Sequence, residues 1–275
     1  MTLQLNSKIR LNNGVEIPVI GFGTLKMKGD VVQNAVMWAL EVGYRHVDTA
    51  KIYGNEVGVG KGLKRSSLPR QEVFVTTKLW NDDHGYDNTL KAIDRNLENL
   101  GLSYVDLYLV HWPVSGRRVE TWKAMVKILK DGKARGIGVS NFTITHLEEL
   151  LAETEIVPAV NQIEFTPYNY QKGLQEYCER KGIKIEAWGP LSRGNLLGDP
   201  KLVEFAKGYD KSTAQILLRW GLQHGVIVLP KSANRERIIE NTKVFDFNIA
   251  EKDMEILDGF NENLSFGIYD PNSFK

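Results

Sequence analysis

Apolar positions along the 275-residue chain gather into short runs separated by longer amphipathic stretches. The runs are VIGFGT (19–24), YRHVD (44–48), VFVTTK (73–78), VDLYLVH (105–111), ARGIGVS (134–140), PAVNQIEF (158–165), KIEAWGP (184–190) and GVIVLP (225–230). They are rich in Val and Ile and mostly short, as strands buried on both faces should be. The stretches between them carry a helical period. In NTLKAIDRNLENLGL (88–102), Leu90, Ile93, Leu97 and Leu100 recur at three- and four-residue spacing and make one apolar face. VVQNAVMWALEVG (31–43) reads as a second amphipathic helix. Gly43, Gly101, Gly132 and Gly182 each follow a helical stretch, where a C-terminal glycine ends a helix.

Eight strand–helix units in this length predict an α/β fold, a (β/α)8 TIM barrel with residues 1–275 as a single domain. The competing architecture is an open doubly wound sheet. That fold usually begins with a glycine-rich phosphate turn, and GFGTLKMKG (21–29) lacks the GxGxxG spacing. Ahead of the first barrel strand, IRLNNGVEIPVI (9–20) places Asn-Gly between apolar alternations and predicts a β-hairpin capping the barrel bottom. No internal repeat or low-complexity linker interrupts the alternation.

Composition narrows the function. Hydrophobic residues make up 42% and charged residues 25%, as in an ordinary soluble globular protein, and the net charge is +1. That balance gives no electrostatic reason to expect nucleic acid or an anionic membrane as partner. No apolar run approaches membrane-span length, and the N-terminal MTLQLNSKIRLNNG lacks a signal-peptide core. The single cysteine, Cys178, cannot form an internal disulfide, which suits a reducing, cytoplasmic setting. It sits in the helical pattern LQEYCERKG and reads as an ordinary helix residue.

The polar residues closing the runs form a series: Asp48, Lys78, His111, Ser140-Asn141 and Lys231-Ser232, with Gln162 and Trp188 within the sixth and seventh runs. A barrel gathers the C-terminal ends of all its strands on one face, where its active site lies. Asp48, with Tyr53 five residues on, would read alone as a turn closed by Gly54-Asn55. Together with Lys78 and His111 they supply a carboxylate, a phenol, an ammonium and an imidazole. The five histidines show no metal-ligand spacing and no GxSxG elbow is present, so no metal site and no serine nucleophile are expected. A lysine beside an aspartate stays charged and is a poor Schiff-base former. The set suits proton transfer. The ammonium is expected to lower the Tyr53 pKa, Asp48 to anchor the lysine, and His111 to orient an oxygen gaining charge.

Over essentially its whole length the chain resembles the aldo-keto reductases. GYRHVDTAKIYGNEVGVGKGL (43–63), DRNLENLGLSYVDLYLVHWP (94–113) and LPKSANRERIIEN (229–241) carry the resemblance. KLWNDDHGYDNTL (78–90), GVSNF (138–142), NQIEF (161–165) and the tail FNENLSFGIYDP (260–271) add to it. The chain looks like a small bacterial- or protozoan-type member, resembling the glyoxal/methylglyoxal reductases and 2,5-diketo-D-gluconate reductases. The resemblance implies a barrel that binds a nicotinamide cofactor without a Rossmann domain, and a tetrad of Asp48, Tyr53, Lys78 and His111 with Tyr53 as general acid.

The resemblance also implies a cofactor site. Gly23 and Thr24 lie at its start, Ser140, Asn141 and Gln162 hold the nicotinamide carboxamide, and Trp188 stacks on the ring ahead of Gly189 and Leu191. Lys231, Ser232, Asn234 and Arg237 match the 2′-phosphate and adenine-ribose site, and Glu240 and Asn241 the adenine contacts. Two cations in the loop after the last strand agree physically with phosphate binding there.

The chain departs from many mammalian members at the substrate side. Leu25 stands where they have tryptophan, and WPVSGRRVETW (112–122) replaces a far longer loop. A shallower, more open pocket is expected, with Leu25, Trp80, His111 and Trp112 as substrate contacts and Phe266 or Tyr269 contributed by a C-terminal substrate loop. Thr166 stands where many relatives have histidine. The resulting expectation is an NADPH-dependent reductase of small aldehydes, α-dicarbonyls or ketones, acting as a monomer. The alternatives are a nicotinamide-binding regulatory subunit of the same fold with little turnover, and a phosphate-binding isomerase or lyase barrel.

Overall fold

In the computed structural model, residues 3–267 and 270–274 are described. Two antiparallel strands, β1 (Lys8–Arg10) and β2 (Glu16–Pro18), come first. Eight parallel strands follow: β3 (Phe22–Gly23), β4 (His46–Asp48), β5 (Phe74–Leu79), β6 (Val105–Val110), β7 (Ala134–Ser140), β8 (Val160–Glu164), β9 (Lys184–Trp188) and β10 (Ile227–Leu229). Each expected run corresponds to one of them, with β5 extending one residue past its run to Leu79. They pair in chain order, and a parallel bridge from Ile20 to Val228 joins first to last. Gly21 N donates to Val228 O at 2.9 Å and Gly23 N to Pro230 O at 3.0 Å, so the sheet closes into the (β/α)8 barrel.

Closure explains a glycine. A Cβ on Gly21 would lie 2.5 Å from His46 Nδ1 and 2.6 Å from a Leu229 methyl. The His46 ring, pointing into the barrel, takes the space that a side chain on the first run would need.

The helices are α1 (Gly29–Val42), α2 (Glu56–Arg65), α3 (Tyr86–Leu100), α4 (Arg118–Lys130), α5 (Ile144–Leu151), α6 (Lys172–Arg180), α7 (Pro200–Lys207), α8 (Thr213–Gln223), α9 (Arg235–Glu240) and α10 (Glu251–Asp258). In α1, Val32, Ala35, Val36, Ala39 and Leu40 are buried at helical spacing, and the helix stops at Gly43, whose φ of 116° only glycine adopts freely. Each fully buried Val or Leu contributes roughly 1.5–3 kcal/mol.

The buried face of α3 carries Ile93, Leu97 and Leu100 as expected, with Leu90 packed against the core, and it takes in polar residues as well. Leu90 is only half-buried, whereas Thr89 and Asn96 are buried. Asn96 belongs to a polar network. Asn96 donates to the buried Glu56 at 2.9 Å and accepts from Tyr108 at 2.9 Å, while Glu56 also takes the Thr77 hydroxyl at 2.7 Å. This network satisfies an amide that faces the barrel beside the apolar residues.

The hairpin covers the N-terminal end of the strands, as expected. Asn12 donates to Pro158 O at 3.1 Å and Asn13 to Arg135 O at 2.9 Å. Leu11 and Ile17 pack with Phe74, Leu107, Val160 and Ile227 in a small core of their own. With that end plugged, the opposite end is the open one. No helix among the described residues is long and apolar enough to cross a membrane.

Candidate active site

The C-terminal strand ends surround a cavity of about 990 Å³. At its floor, β4 delivers Asp48 and β5 delivers Lys78. Lys78 Nζ donates to both Asp48 oxygens at 2.7 Å and to Thr49 O at 2.9 Å, and the lysine is fully buried. Burial alone would push the ammonium down. The Asp48 carboxylate leads the groups that more than offset it, and the Lys78 pKa stands above its ordinary value. The lysine is therefore charged, as a proton-transfer site requires and a Schiff base does not.

After β4 the chain makes one 3-10 turn, Lys51–Tyr53, ended by Gly54 at φ 62°. This turn carries Tyr53 over the lysine, with Lys78 Nζ 5.3 Å from the ring centroid. The turn is clamped at both sides. The buried Asn55 accepts from Thr49 Oγ1 at 2.8 Å and donates to Thr24 O and Met27 O at 2.8 and 2.9 Å. Lys51 pairs with Asp83, which also takes Arg95 at 2.7 Å.

The Tyr53 pKa runs against the sequence-based expectation. Desolvation raises it; Lys78 lowers it but does not win, and Asp48 adds to the rise. The ammonium is there, yet much of its field is spent on Asp48. Tyr53 is a phenol at neutral pH.

His111, after β6, lines the cavity with its ring 6.0 Å from that of Tyr53 and 5.2 Å from that of Trp80. Burial, then the Lys78 charge, hold its pKa well below the usual range. It is a neutral imidazole, with one N–H to give.

Asn141 sits in the left-handed region at φ 63°. Its Oδ1 accepts from Trp188 Nε1 at 2.8 Å, and its Nδ2 donates to His111 O and Ser140 Oγ, both at 3.0 Å. Trp188 is thus held edge-on by an amide. The Arg193 guanidinium lies 5.3 Å from its ring centroid.

At the far end of the cavity, Ser232 Oγ accepts from Asn234 N at 3.1 Å and Arg237 Nε at 3.4 Å, and Asn234 caps α9 by accepting from Arg237 N at 3.0 Å. Burial, then Arg237 and Lys26, push the Lys231 pKa down. None of these three cations is in an ion pair among the described residues. Three crowded positive groups of this kind fit a phosphate.

Gly23, Thr24, Leu25, Asp48, Tyr53, Trp80, His111, Trp112, Asn141, Gln162, Trp188, Gly189, Leu191, Lys231, Ser232, Arg237, Glu240 and Asn241 all line the cavity. Three expected members do not. Lys78 lies beneath the wall under Asp48, Ser140 Oγ is turned to Gln162 O at 2.8 Å, and Asn234 spends its side chain on the helix cap. Lys26, Ile52 and Arg193 line the cavity without having been expected to, as does the start of α8 at Ser212–Ala214. Ser212 and Gln215 form a capping box, a pattern readable in STAQ.

The described parts of the C-terminal tail are tied to the strand-end side of the barrel at two places. Buried Glu164, at the end of β8, accepts from Ser265 Oγ at 2.5 Å, Phe266 N at 2.9 Å and Gly267 N at 3.1 Å. Phe266 packs on the core there and does not line the cavity, and Tyr269 lies outside the described residues. Phe274 instead reaches the substrate side, with its ring 4.8 Å from Trp112 and its carbonyl accepting from Ser115 N at 3.1 Å.

The family model described as "Aldo/keto reductase family" matches residues 19–262. The chain is 48% identical to a glyoxal reductase of Bacillus subtilis, over 97% of each chain. It is also 48% identical to a 9,11-endoperoxide prostaglandin H2 reductase of Trypanosoma cruzi, over 97% of this chain and 95% of the other. Among solved structures, an aldo/keto reductase from Brucella melitensis superposes with a TM-score of 0.89 at 45% identity, covering 93% of this chain and 99% of that one. A Bombyx mori aldo-keto reductase solved in complex with NADP superposes with a TM-score of 0.91 at 38% identity, covering 99% and 98%.

Proposed function

The chain belongs to the aldo/keto reductase family, and on that premise we propose that it uses NADPH to reduce small aldehydes, α-dicarbonyls or ketones, with Tyr53 as proton donor. The carrying observation is the charged, buried Lys78–Asp48 pair beneath a protonated Tyr53 and beside a neutral His111. NADPH, when bound, supplies the hydride. Gln162 and Asn141 would hold its carboxamide and Trp188 would face its ring. Lys231, Arg237 and Lys26 would hold phosphate, and Glu240 and Asn241 would line the adenine end.

Tyr53 gives its proton to the carbonyl oxygen as that oxygen gains charge. Burial keeps the phenol protonated beforehand. Lys78 stabilises the phenolate left behind, and the effect grows as the charge develops, as transition-state stabilisation requires. The neutral His111 can donate to the same oxygen without adding a proton of its own. Leu25, Trp80 and Trp112 give the substrate end an apolar wall, which suits a small carbonyl compound.

Oxidation of NADPH and of NADH by the purified protein, with methylglyoxal or 4-nitrobenzaldehyde, tests the reading. Turnover with a higher kcat/KM for NADPH is expected. Equal or better use of NADH would remove the phosphate assignment. Tight NADPH binding with no turnover across a carbonyl panel would favour the regulatory subunit.

A further inference from the structure

Beneath Asp48 and Lys78 the barrel interior holds a second polar layer. Gln162 on β8 and Glu186 on β9 are register partners, and both are buried. Gln162 Nε2 donates to Asp48 Oδ2 at 2.9 Å and to Glu186 Oε2 at 2.6 Å. A glutamine amide carries its two N–H groups on one nitrogen and accepts only through its oxygen. Asp48 Oδ2 and Glu186 Oε2 use both N–H groups, and the reversed amide would set its oxygen against the Asp48 carboxylate and take from Glu186 Oε2 the N–H it accepts. The amide is thus fixed nitrogen-inward, and Gln162 lines the cavity with its oxygen left to accept.

The far side of Glu186 is quiet. Its Oε1 has no hydrogen-bond partner and lies 3.7 Å from His46 Nε2, which is 2.9 Å from Thr76 Oγ1. Burial, then the Asp48 charge, raise the Glu186 carboxyl to about 8. Burial, then Lys78, lower His46 to about 3. At neutral pH both groups are largely uncharged, so the layer is tolerated in the barrel interior, and Oε2 still accepts the amide N–H.

We propose that Glu186 is a positioning residue for the cofactor: it fixes the Gln162 amide so that its carbonyl oxygen faces the cavity and accepts an N–H of the nicotinamide carboxamide. This rests on the NADP(H) reading above.

The test measures dissociation constants by quenching of tryptophan fluorescence. The two ligands are NADP+ and 3-acetylpyridine adenine dinucleotide phosphate, whose acetyl group keeps the oxygen but has no N–H. Wild type should bind the analogue about tenfold more weakly, the worth of one good hydrogen bond. In Glu186→Leu, with one of two amide anchors gone, the gap should shrink to about threefold or less. Glu186→Gln keeps an acceptor oxygen and should hold the wild-type gap. If the Leu variant does not fold, Glu186→Met replaces it, because a flexible side chain fills the same space. An unchanged gap in the Leu or Met variant overturns the proposal, and so does a gap that shrinks equally in the Gln variant. Failure of wild type to bind NADP+ at all overturns the cofactor reading instead.

Discussion

Asp48→Asn isolates the electrostatic floor of the site. Lys78 is fully buried, and the two oxygens of Asp48 are its only carboxylate partners within hydrogen-bond reach among the described residues. Removing one partner of a buried pair costs about 3–5 kcal/mol, because the other charge stays behind unpaired. Two things limit the loss. Thr49 O still accepts from Nζ, and Glu186, held at about 8 partly by Asp48, ionises more readily once Asp48 is neutral. The lower end, about 3 kcal/mol, is expected, or about 6–12 °C in Tm for a chain of this size.

The pH dependence gives the sharper test. In wild type the Lys78 pKa is raised above 10.5, so its contribution is full below that pH and fades only above it. In the variant, burial is opposed by less and depresses the ammonium. The unfolded chain then binds more protons than the folded one, and stability rises with pH up to the unfolded pKa of roughly 10.4. The Tm deficit, read by differential scanning calorimetry, should therefore narrow between about pH 7 and about pH 9.5. A deficit below about 1 kcal/mol, or one that widens with pH, would refute the claim that this pair holds the floor.

Arg237→Ala should weaken NADPH binding by about tenfold or more while leaving NADH nearly unchanged, as titration with both cofactors would show. Gly60→Ala would put a Cβ 2.2 Å from Leu100 O and force α2 away from α3, at about 2–3 kcal/mol in urea unfolding. Gly173→Ala, in α6 with nothing within 4 Å, should instead stabilise by about 0.5–1 kcal/mol. Glu164→Ala should release the tail, making residues 264–274 cleavable in limited proteolysis and raising KM for the carbonyl more than it lowers kcat.

Strand ends were the legible part of this site, because a barrel turns the residue closing each apolar run toward one face. That logic located Asp48, Lys78 and His111 without a single side-chain contact in hand. It said less about what lies behind the wall. Glu186 sits in KIEAWGP, where a lone acid in an apolar run carries no spacing signal, and only the Gln162 bonds reveal its partner. No spacing singles out Asn96 among the polar residues of α3, and only its bonds to Glu56 and Tyr108 place it inside. The Tyr53 pKa needed two opposing magnitudes, burial and the Lys78 field, and sequence supplies only the presence of the second. Arg193 and Lys26 come from loops whose path no periodicity fixes, and the same holds for Phe274 over Trp112.

Tyr53→Phe tests the central claim most directly, because it removes one hydroxyl and leaves the ring in place between Lys78 and His111. NADPH affinity should stay within about twofold of wild type while kcat for carbonyl reduction falls by about 10²–10⁴-fold, the range for loss of a positioned proton donor. A variant that binds NADPH normally and keeps more than about a tenth of wild-type kcat would contradict the account.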